Sequence, residues 1–389
     1  MESTLKRTWA EIDLDALKNN YLKLRERIGS KTKFLAVVKA DAYGHGSVQV
    51  SRLMQELGAD YLAVSNIDEA IELRHNEITM PILILGHTPK EQVSQLIRYG
   101  ITQAVTCRAK AIEYSEAAVA EGGILKIHVK VDTGMSRLGF LCDNENFETG
   151  IDGICESCGL PGLYAEGIFT HFAVSDEADD DSIAYTKKQF GLFTDVIKSC
   201  EERLGVPFAI RHCANTGAVA NYPETWLDMV RPGLLLYGYG EFAEGLGLKP
   251  VMTLKTNVST IKYYPEGTYV GYGCRYRTNK WTRMGVIPYG YADGFFRCLS
   301  NNCTLMTSEG PVSQCGSICM DMATIDLTDK PGVDVGSDVE IFGKHNPIEV
   351  MASKAGTIPY ELTCAVSKRV PRVYLRNGEI IEKELLLRG

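Results

Sequence analysis

The chain has 389 residues, a formal net charge of −8 and a hydrophobic content of 45%. Its length exceeds what one hydrophobic core usually supports, so the sequence predicts two domains. The acidic balance argues against nucleic acid or an anionic membrane surface as a partner. Neither a secretory signal nor a run of about 18 uncharged apolar residues is visible in the sequence. We therefore expect a cytoplasmic protein.

Short apolar, β-branched runs in the first part of the chain predict strands. Segments with helical periodicity lie between them, including Ser47–Leu57, Ile67–His75, Lys90–Tyr99 and Tyr185–Leu204. Alternation of strand and helix implies parallel pairing, and about eight strands is the number that a closed (β/α)8 barrel needs. The candidate strands are Phe34–Ala40, Tyr61–Asn66, Pro81–Gly86, Ile101–Thr106, Lys126–Asp132, Leu163–Phe172, Ala209–Asn215 and Met229–Gly238.

The pattern changes after about residue 245 to alternating runs that are typical of strands. These runs include Met252–Tyr263, Arg283–Pro288, Thr304–Thr307 and Ala323–Leu327. The predicted fold class is therefore α/β, with an N-terminal (β/α)8 TIM-like barrel in residues 1–245 and a C-terminal mostly-β domain in residues 246–389. Roughly the first ten residues are expected to pack with the C-terminal domain.

The 12 Cys are spread through the chain, and several lie in apolar runs. Reduced, partly buried thiols are therefore expected, not a disulfide framework. Cys155 and Cys158 have the C-x-x-C spacing of half a zinc site, but Cys315 and Cys319 are one residue too far apart to match it. We predict no metal site. The acidic run Asp176–Asp181 is predicted to be a solvated loop.

Lys39 is the first candidate for chemistry, because it follows the apolar run Phe34–Val38. In a barrel, functional residues collect in the loops at the C-terminal ends of the strands. Burial there can lower the pKa of an ammonium group and leave an amine free to attack an aldehyde. Composition alone favours a simpler interpretation, a lysine that extends into solvent from a strand end. The surrounding residues decide between the two.

The segment Val38–Gly46, which reads VKADAYGHG, resembles the cofactor-lysine signature of alanine racemases. Further motifs of that family follow in the same order, so the resemblance runs from near Trp9 to Arg372. It implies a two-domain, pyridoxal-phosphate-dependent isomerase that interconverts L- and D-alanine and supplies D-alanine for peptidoglycan. The matching segments are Lys130–Gly139, Gly167–Phe172, Cys213–Thr216, Val230–Gly233, Gly290–Gly294, Ile318–Asp321 and Ile358–Glu361.

The resemblance implies a pair of catalytic bases. Lys39 would hold pyridoxal 5'-phosphate and exchange the α-proton on the face of the D enantiomer. Because the two products are mirror images, a second base must act from the opposite face. Tyr291 resembles that base, which comes from the other subunit of a homodimer with composite active sites. His171 and Arg231 would lower the cost of forming its phenolate.

The resemblance also assigns the electrostatics of the cofactor. Arg231 would face the pyridine nitrogen and, as an always-charged donor, keep it unprotonated. Arg137 would bond the phenolic oxygen near the substrate carboxylate. Lys130 resembles a lysine that is often carbamylated and then orients that arginine. The backbone N–H of Met320 would contact the substrate carboxylate from the other subunit.

The implied cofactor site extends beyond Lys39, Arg137, His171 and Arg231. Thr216 departs from the family, which often has Ser at that position, but it keeps the hydroxyl. The further cofactor-binding residues are Tyr43, Asn215, Thr216, Gly233, Leu234 and Tyr360. No functional role is expected for the remaining histidine candidates, which are predicted to be structural. These are His45, His128 and His212.

Four alternatives stay open at this point. A serine or broad-specificity racemase would share the two bases, although the bulky phenol of Tyr360 should narrow the pocket toward alanine. A decarboxylase of basic amino acids should set a carboxylate against the pyridine nitrogen, and Arg231 argues against it. A non-catalytic cofactor-binding barrel would lack residues 246–389. A barrel unrelated to the cofactor would be colourless.

Overall fold

The computed structural model of the chain describes residues 7–385. The strands are β1 (Thr8–Asp13), β2 (Lys33–Val37), β3 (Tyr61–Val64), β4 (Ile82–Ile84), β5 (Thr102–Val105), β6 (Leu125–Asp132), β7 (Phe140–Leu141), β8 (Leu163–Phe169), β9 (Ile210–His212), β10 (Met229–Val230), β11 (Met252–Asn257), β12 (Thr260–Tyr264), β13 (Tyr269–Val270), β14 (Tyr276–Arg277), β15 (Thr282–Ile287), β16 (Thr304–Thr307), β17 (Gly310–Cys315), β18 (Ala323–Asp326), β19 (Asp338–Phe342), β20 (Arg372–Arg376) and β21 (Glu379–Glu384). The helices are α1 (Leu14–Ile28), α2 (Lys39–Gly44), α3 (Ser47–Glu56), α4 (Ile67–His75), α5 (Val93–Arg98), α6 (Arg108–Ala120), α7 (Phe147–Cys158), α8 (Asp180–Leu204), α9 (Thr216–Asn221), α10 (Ile348–Ala355) and α11 (Pro359–Cys364).

The described chain divides into two compact units. The barrel unit comprises Tyr21–Ala42 and Ser47–Leu236. The second unit, called the β unit below, comprises the described residues up to Asn20, the segment Tyr43–Gly46 and the residues from Tyr237 onward. The predicted domain boundary at residues 245 and 246 stays a prediction. Among residues 7–385, no helix has the length and apolar character needed to cross a membrane.

The barrel unit contains a parallel sheet in the order β10-β2-β3-β4-β5-β6-β8-β9. Backbone hydrogen bonds join its two end strands, since the N–H of Asp228 donates to Arg211 O at 3.1 Å and that of Arg231 to Ala214 O at 2.9 Å. Each strand of this order overlaps one of the predicted runs. The predicted barrel with a separate mostly-β part is therefore confirmed.

Several bounds in the barrel unit differ from prediction, and two of the differences have a clear physical cause. The run Met229–Gly238 is not one strand, because β10 ends at Val230 and a 3-10 turn follows at Leu234–Tyr237. Pro232 has no N–H to continue a ladder, which explains the early end. Helix α8 begins inside the acidic run expected to be a loop, because the side chain of Asp179 accepts a hydrogen bond from Ser182 N at 3.0 Å and caps the helix.

The β unit is built on a sheet in the order β12-β15-β18-β17-β16-β19-β11-β1-β20-β21. Strand β1 enters it by pairing antiparallel with β11 and parallel with β20. The alternating run Met252–Tyr263 forms two strands instead of one, since β11 pairs with β1 and β19 while β12 pairs with β15. This sheet carries the loops that hold Tyr291 and Met320.

Candidate active site

Lys39 lies two residues after the end of β2 at Val37 and begins α2, which is wound left-handed. The φ angles of Ala40 to Tyr43 lie between +52° and +55°, and that of Gly44 is +82°. An L residue pays about 1–2 kcal/mol for this conformation, so such a run persists only where neighbouring contacts impose it. Lys39 is partly buried. The backbone that follows the candidate cofactor lysine is therefore strained.

Hydrogen bonds within the barrel unit hold the start of this turn. The N–H of Ala42 donates to Val38 O at 2.9 Å. The N–H of Ala40 donates to Glu69 Oε1 at 2.8 Å. Asp41 links the turn to the start of α3, because its Oδ1 accepts a hydrogen bond from Ser47 N at 2.8 Å. These contacts supply the restraint that the left-handed run requires.

Arg231 follows β10 and is 4% exposed. Its Nη2 donates to the carbonyls of Thr170 at 2.8 Å and Cys213 at 3.2 Å, and it lies 3.3 Å from His171 Nδ1. Burial lowers the pKa of Arg231 to about 10, so the guanidinium still carries its charge at neutral pH. The side chain is a fixed, buried donor at the end of the barrel strands.

A chain of side chains runs from Arg231 through the barrel interior. Arg231 Nη1 lies 2.9 Å from His212 Nδ1, and His212 Nε2 lies 2.8 Å from His128 Nδ1. His128 Nε2 lies 3.3 Å from Glu166 Oε2, which also accepts from the Tyr61 hydroxyl at 2.6 Å. Both histidines are buried. Their link to Arg231 has no signal in the sequence, because it joins four different strand segments.

Positive charge is concentrated where these strands end. Burial first, and then the charges of Arg231, Lys130, Arg137 and Lys39, hold the pKa of His171 well below its usual range. Lys130 is 5% exposed, and its Nζ lies 4.9 Å from the centre of the Phe169 ring. Burial, followed by the charges of Arg231 and Arg137, lowers the pKa of Lys130 to about 7.

The loop that carries Arg137 is shaped by Asp132 at the end of β6. Asp132 Oδ1 accepts from the N–H groups of Gly134 and Ser136, each at 3.0 Å. The Tyr185 hydroxyl adds a bond to Gly134 O at 2.7 Å. Arg137 itself is exposed. The aspartate thus fixes the backbone next to Arg137 and leaves its guanidinium available to a ligand.

Asn215 and Thr216 open α9 in the barrel unit. The side chain of Asn215 caps this helix by accepting from Ala218 N at 3.2 Å. The N–H of Gly233 donates to Thr216 Oγ1 at 2.9 Å, so the hydroxyl and the Gly233 backbone adjoin. Leu234, which is buried, starts the 3-10 turn directly after them. Hydroxyl and backbone donors thus meet here, as in phosphate sites of barrels.

Tyr43 and Tyr360, two further candidate cofactor residues, lie close together in the β unit. The rings of Tyr43 and Tyr360 lie 5.2 Å apart between centroids. A Cβ at Gly44 would lie 2.2 Å from Thr363 O, and one at Gly46 would lie 1.8 Å from the Tyr374 hydroxyl oxygen. The segment Tyr43–Gly46 therefore packs closely against α11 and β20. Burial raises the pKa of the Tyr43 phenol, so this hydroxyl is a neutral donor.

Tyr291 and Met320 lie side by side in two loops of the β unit. The N–H of Tyr291 donates to Cys319 O at 2.9 Å, and that of Ala292 to Met320 O at 3.0 Å. Their side chains are nevertheless exposed, by 43% for Tyr291 and 53% for Met320. Both side chains are therefore accessible on the surface of the described chain.

The barrel-unit residues fit an anionic, phosphate-bearing cofactor. Four cationic side chains act together on His171, while Asp132 is the carboxylate that opposes them at Lys130. Positive charge that outnumbers the neighbouring carboxylate is complementary to a phosphate and a phenolate. In residues 7–385, no cluster of three His, Cys, Asp or Glu side chains is arranged to hold a metal ion.

Comparison with known proteins gives the same family for both parts of the chain. Residues 12–241 match the family model described as alanine racemase, N-terminal domain. Residues 251–374 match the model described as alanine racemase, C-terminal domain.

Similar proteins match over nearly their whole length. An alanine racemase of Clostridium perfringens is 41% identical, covering 98% of this chain and 99% of that protein. An alanine racemase of Methanococcus maripaludis is 45% identical, covering 94% of this chain and 98% of that protein. The structure of an alanine racemase from Clostridium difficile 630 has a TM-score of 0.93 at 37% identity, covering 99% of this chain and 100% of the other. This chain belongs to the alanine racemase family, whose members are pyridoxal-phosphate-dependent isomerases.

Proposed function

We propose that this chain interconverts L- and D-alanine by a two-base mechanism with pyridoxal 5'-phosphate as cofactor. The observation that carries the proposal is the set of cationic groups around His171, with Lys39 at the end of β2 and the buried Arg231 at the end of β10. Family membership supports the same reaction. Supply of D-alanine for peptidoglycan in the cytoplasm is the corresponding role and stays a prediction.

The proposed cofactor-binding residues are those that the family resemblance assigns. Thr216, Gly233 and Leu234 would bind the cofactor's phosphate together with the hydroxyls of Tyr43 and Tyr360, and Asn215 would support this end. Arg137 would bond its phenolic oxygen. When bound, the cofactor supplies an electron sink that acidifies the α-proton of an amino acid.

Lys39 is the proposed base for the α-proton of D-alanine. Its amine must be neutral to accept that proton. The contacts of Ala40 and Ala42 hold the backbone that follows Lys39. Lys39 would therefore take and return the proton on one face from a fixed position.

Tyr291 is the proposed base for the opposite face. Its exposed side chain beside Met320 suits a role in a neighbouring subunit, where both would complete the active site of a homodimer. Met320 would offer its backbone N–H to the substrate carboxylate. Backbone hydrogen bonds between their loops hold the two residues side by side.

Arg231 is proposed to face the pyridine nitrogen. A guanidinium has donors and no acceptor, and the pKa of about 10 keeps it charged at neutral pH. It would therefore donate to that nitrogen and leave it unprotonated. This weakens the electron sink and disfavours decarboxylation and transamination.

The test is α-proton exchange in D2O, followed by NMR with chiral analysis of the product. Purified protein with added pyridoxal phosphate is incubated separately with L-alanine, L-serine and L-lysine. Fastest racemisation of alanine is the expected result. Serine in first place would move the chain to a serine racemase activity. No reaction with any of the three would contradict the proposed function.

A further inference from the structure

A fully buried carboxylate lies in the same turn as Tyr291. Asp293 ends the 3-10 turn Tyr291–Asp293 and is 0% exposed. Its two oxygens accept from Nη1 and Nη2 of Arg7, each at 2.8 Å. Its Oδ2 also accepts from Gly290 N at 3.1 Å. A carboxylate buried in this way serves as an anchor for the backbone of the turn, because each of its bonds has a defined geometry.

A second guanidinium extends this anchor to the loop that carries Met320. Arg369 Nε lies 3.3 Å from Asp293 Oδ1, and its Nη2 donates to Asp321 Oδ1 at 2.7 Å. The two loops are in direct contact, since a Cβ at Gly290 would lie 2.3 Å from Met320 O. The loops of Tyr291 and Met320 thus form one hydrogen-bonded body with Asp293 at its charged centre.

The N-terminal segment fixes Arg7 in turn. Its carbonyl accepts from Thr256 Oγ1 at 2.8 Å, and the hydroxyl of the next residue, Thr8, donates to Pro288 O at 2.9 Å. Arg7 therefore joins the sheet strand β11 to the turn, although 286 positions in sequence separate it from Asp293. The side chain of Tyr291, at 43% exposure, has little packing of its own to fix it.

We propose that Asp293, held by Arg7 and Arg369, is a positioning residue for Tyr291 in the racemisation reaction. This inference rests on the proposed role of Tyr291 as the second base. The rate of proton transfer falls steeply when the donor and acceptor are misplaced by about 1 Å. Loss of the two-bond contact from Arg7 lets the turn shift, so it impairs the Tyr291 face and spares the Lys39 face.

The test compares two rates for D-alanine in D2O. Lys39 exchanges the α-proton of D-alanine without the help of Tyr291, whereas conversion to L-alanine needs both residues. In the Arg7→Gln variant, the ratio of α-proton exchange to racemisation should rise about tenfold, with kcat reduced and KM nearly unchanged. Arg7→Lys keeps the charge and one bond, so it should restore part of the racemisation rate.

The matched control is Glu11→Gln in β1, the strand that follows Arg7, which removes the 2.9 Å ion pair with Lys255 but touches neither loop. The ratio of α-proton exchange to racemisation in this control should equal that of the unmodified protein. An unchanged ratio in Arg7→Gln, or an equal loss of both rates, overturns the positioning role. Tyr291→Phe separates this inference from the proposed function, because a failure of that variant to raise the ratio would remove Tyr291 as the base.

Discussion

Arg231 can only donate hydrogen bonds, and this property fixes the protons on the two histidines behind it. His212 must accept at Nδ1, so its Nε2 carries the proton that is donated to His128 Nδ1. His128 in turn donates from Nε2 to Glu166. The contact with His128 helps to lower the pKa of Glu166 to about 2, so this end of the chain of bonds is an anion. Each histidine is neutral in the folded protein.

These neutral histidines predict how stability depends on pH. Burial, and then the charge of Arg231, hold the pKa of His212 well below its usual range, whereas in the unfolded chain it titrates near 6.5. The unfolded state therefore binds more protons below pH 6.5, and stability falls as the pH drops through that value. The thermal unfolding midpoint should decrease from pH 7 to pH 5, and it should decrease less in His212→Gln. Equal slopes would contradict this assignment.

Lys130 predicts a different pH effect. With a pKa of about 7, a large fraction of its amine is neutral at mildly alkaline pH, and a neutral amine adds CO2 to form a carbamate and release a proton. Labelled CO2 should therefore give a carbamate carbon signal by NMR, and this signal should strengthen from pH 6 to pH 8. It should vanish in Lys130→Ala. Lys126→Ala, which changes a solvent-exposed lysine of the same strand, should retain it.

Helix α2 has an unfavourable backbone conformation, because four successive non-glycine residues have positive φ angles. Ala40 is exposed and has a φ of +52°, so replacing it with glycine should relieve about 1 kcal/mol and raise the unfolding midpoint. Ala40→Val should lower the midpoint, because a branched Cβ is disfavoured at positive φ. A higher midpoint for the valine variant, measured by thermal denaturation, would show that the turn is not strained at this position.

The sequence identified most strands because their apolar, β-branched runs are local signals. Helix α4 was predicted with its observed bounds, Ile67–His75, because Asn66 caps it and the periodicity is regular. The predicted helix Tyr185–Leu204 begins five residues after the observed start of α8 at Asp180, because the charged residues of its first turn resemble a loop when the cap at Asp179 is not considered. The left-handed sense of α2 was missed, because long-range contacts impose it and no local pattern indicates it.

Over the whole molecule, contacts between distant residues explain what the sequence could not indicate. The resemblance located the candidate site residues one by one, but the chain from Arg231 to Glu166 depends on the barrel register that sets β6, β8 and β9 side by side. The bond from Arg7 to Asp293 depends on β1 entering the sheet of the β unit. Such pairings follow from the fold and not from spacing.

A homodimer with composite sites predicts that two inactive variants complement each other. Lys39→Ala and Tyr291→Phe should each abolish most racemisation. In a mixed dimer, one site then receives both defects, and the other combines the intact Lys39 of one subunit with the intact Tyr291 of its partner. Random exchange in an equal mixture should therefore restore about one quarter of the unmodified activity.

Because the gain requires subunit exchange, it should appear only after partial denaturation and renaturation of the two variants together, and not when they are renatured separately. No recovery in a mixture shown to contain mixed dimers would mean that each active site takes Lys39 and Tyr291 from the same chain.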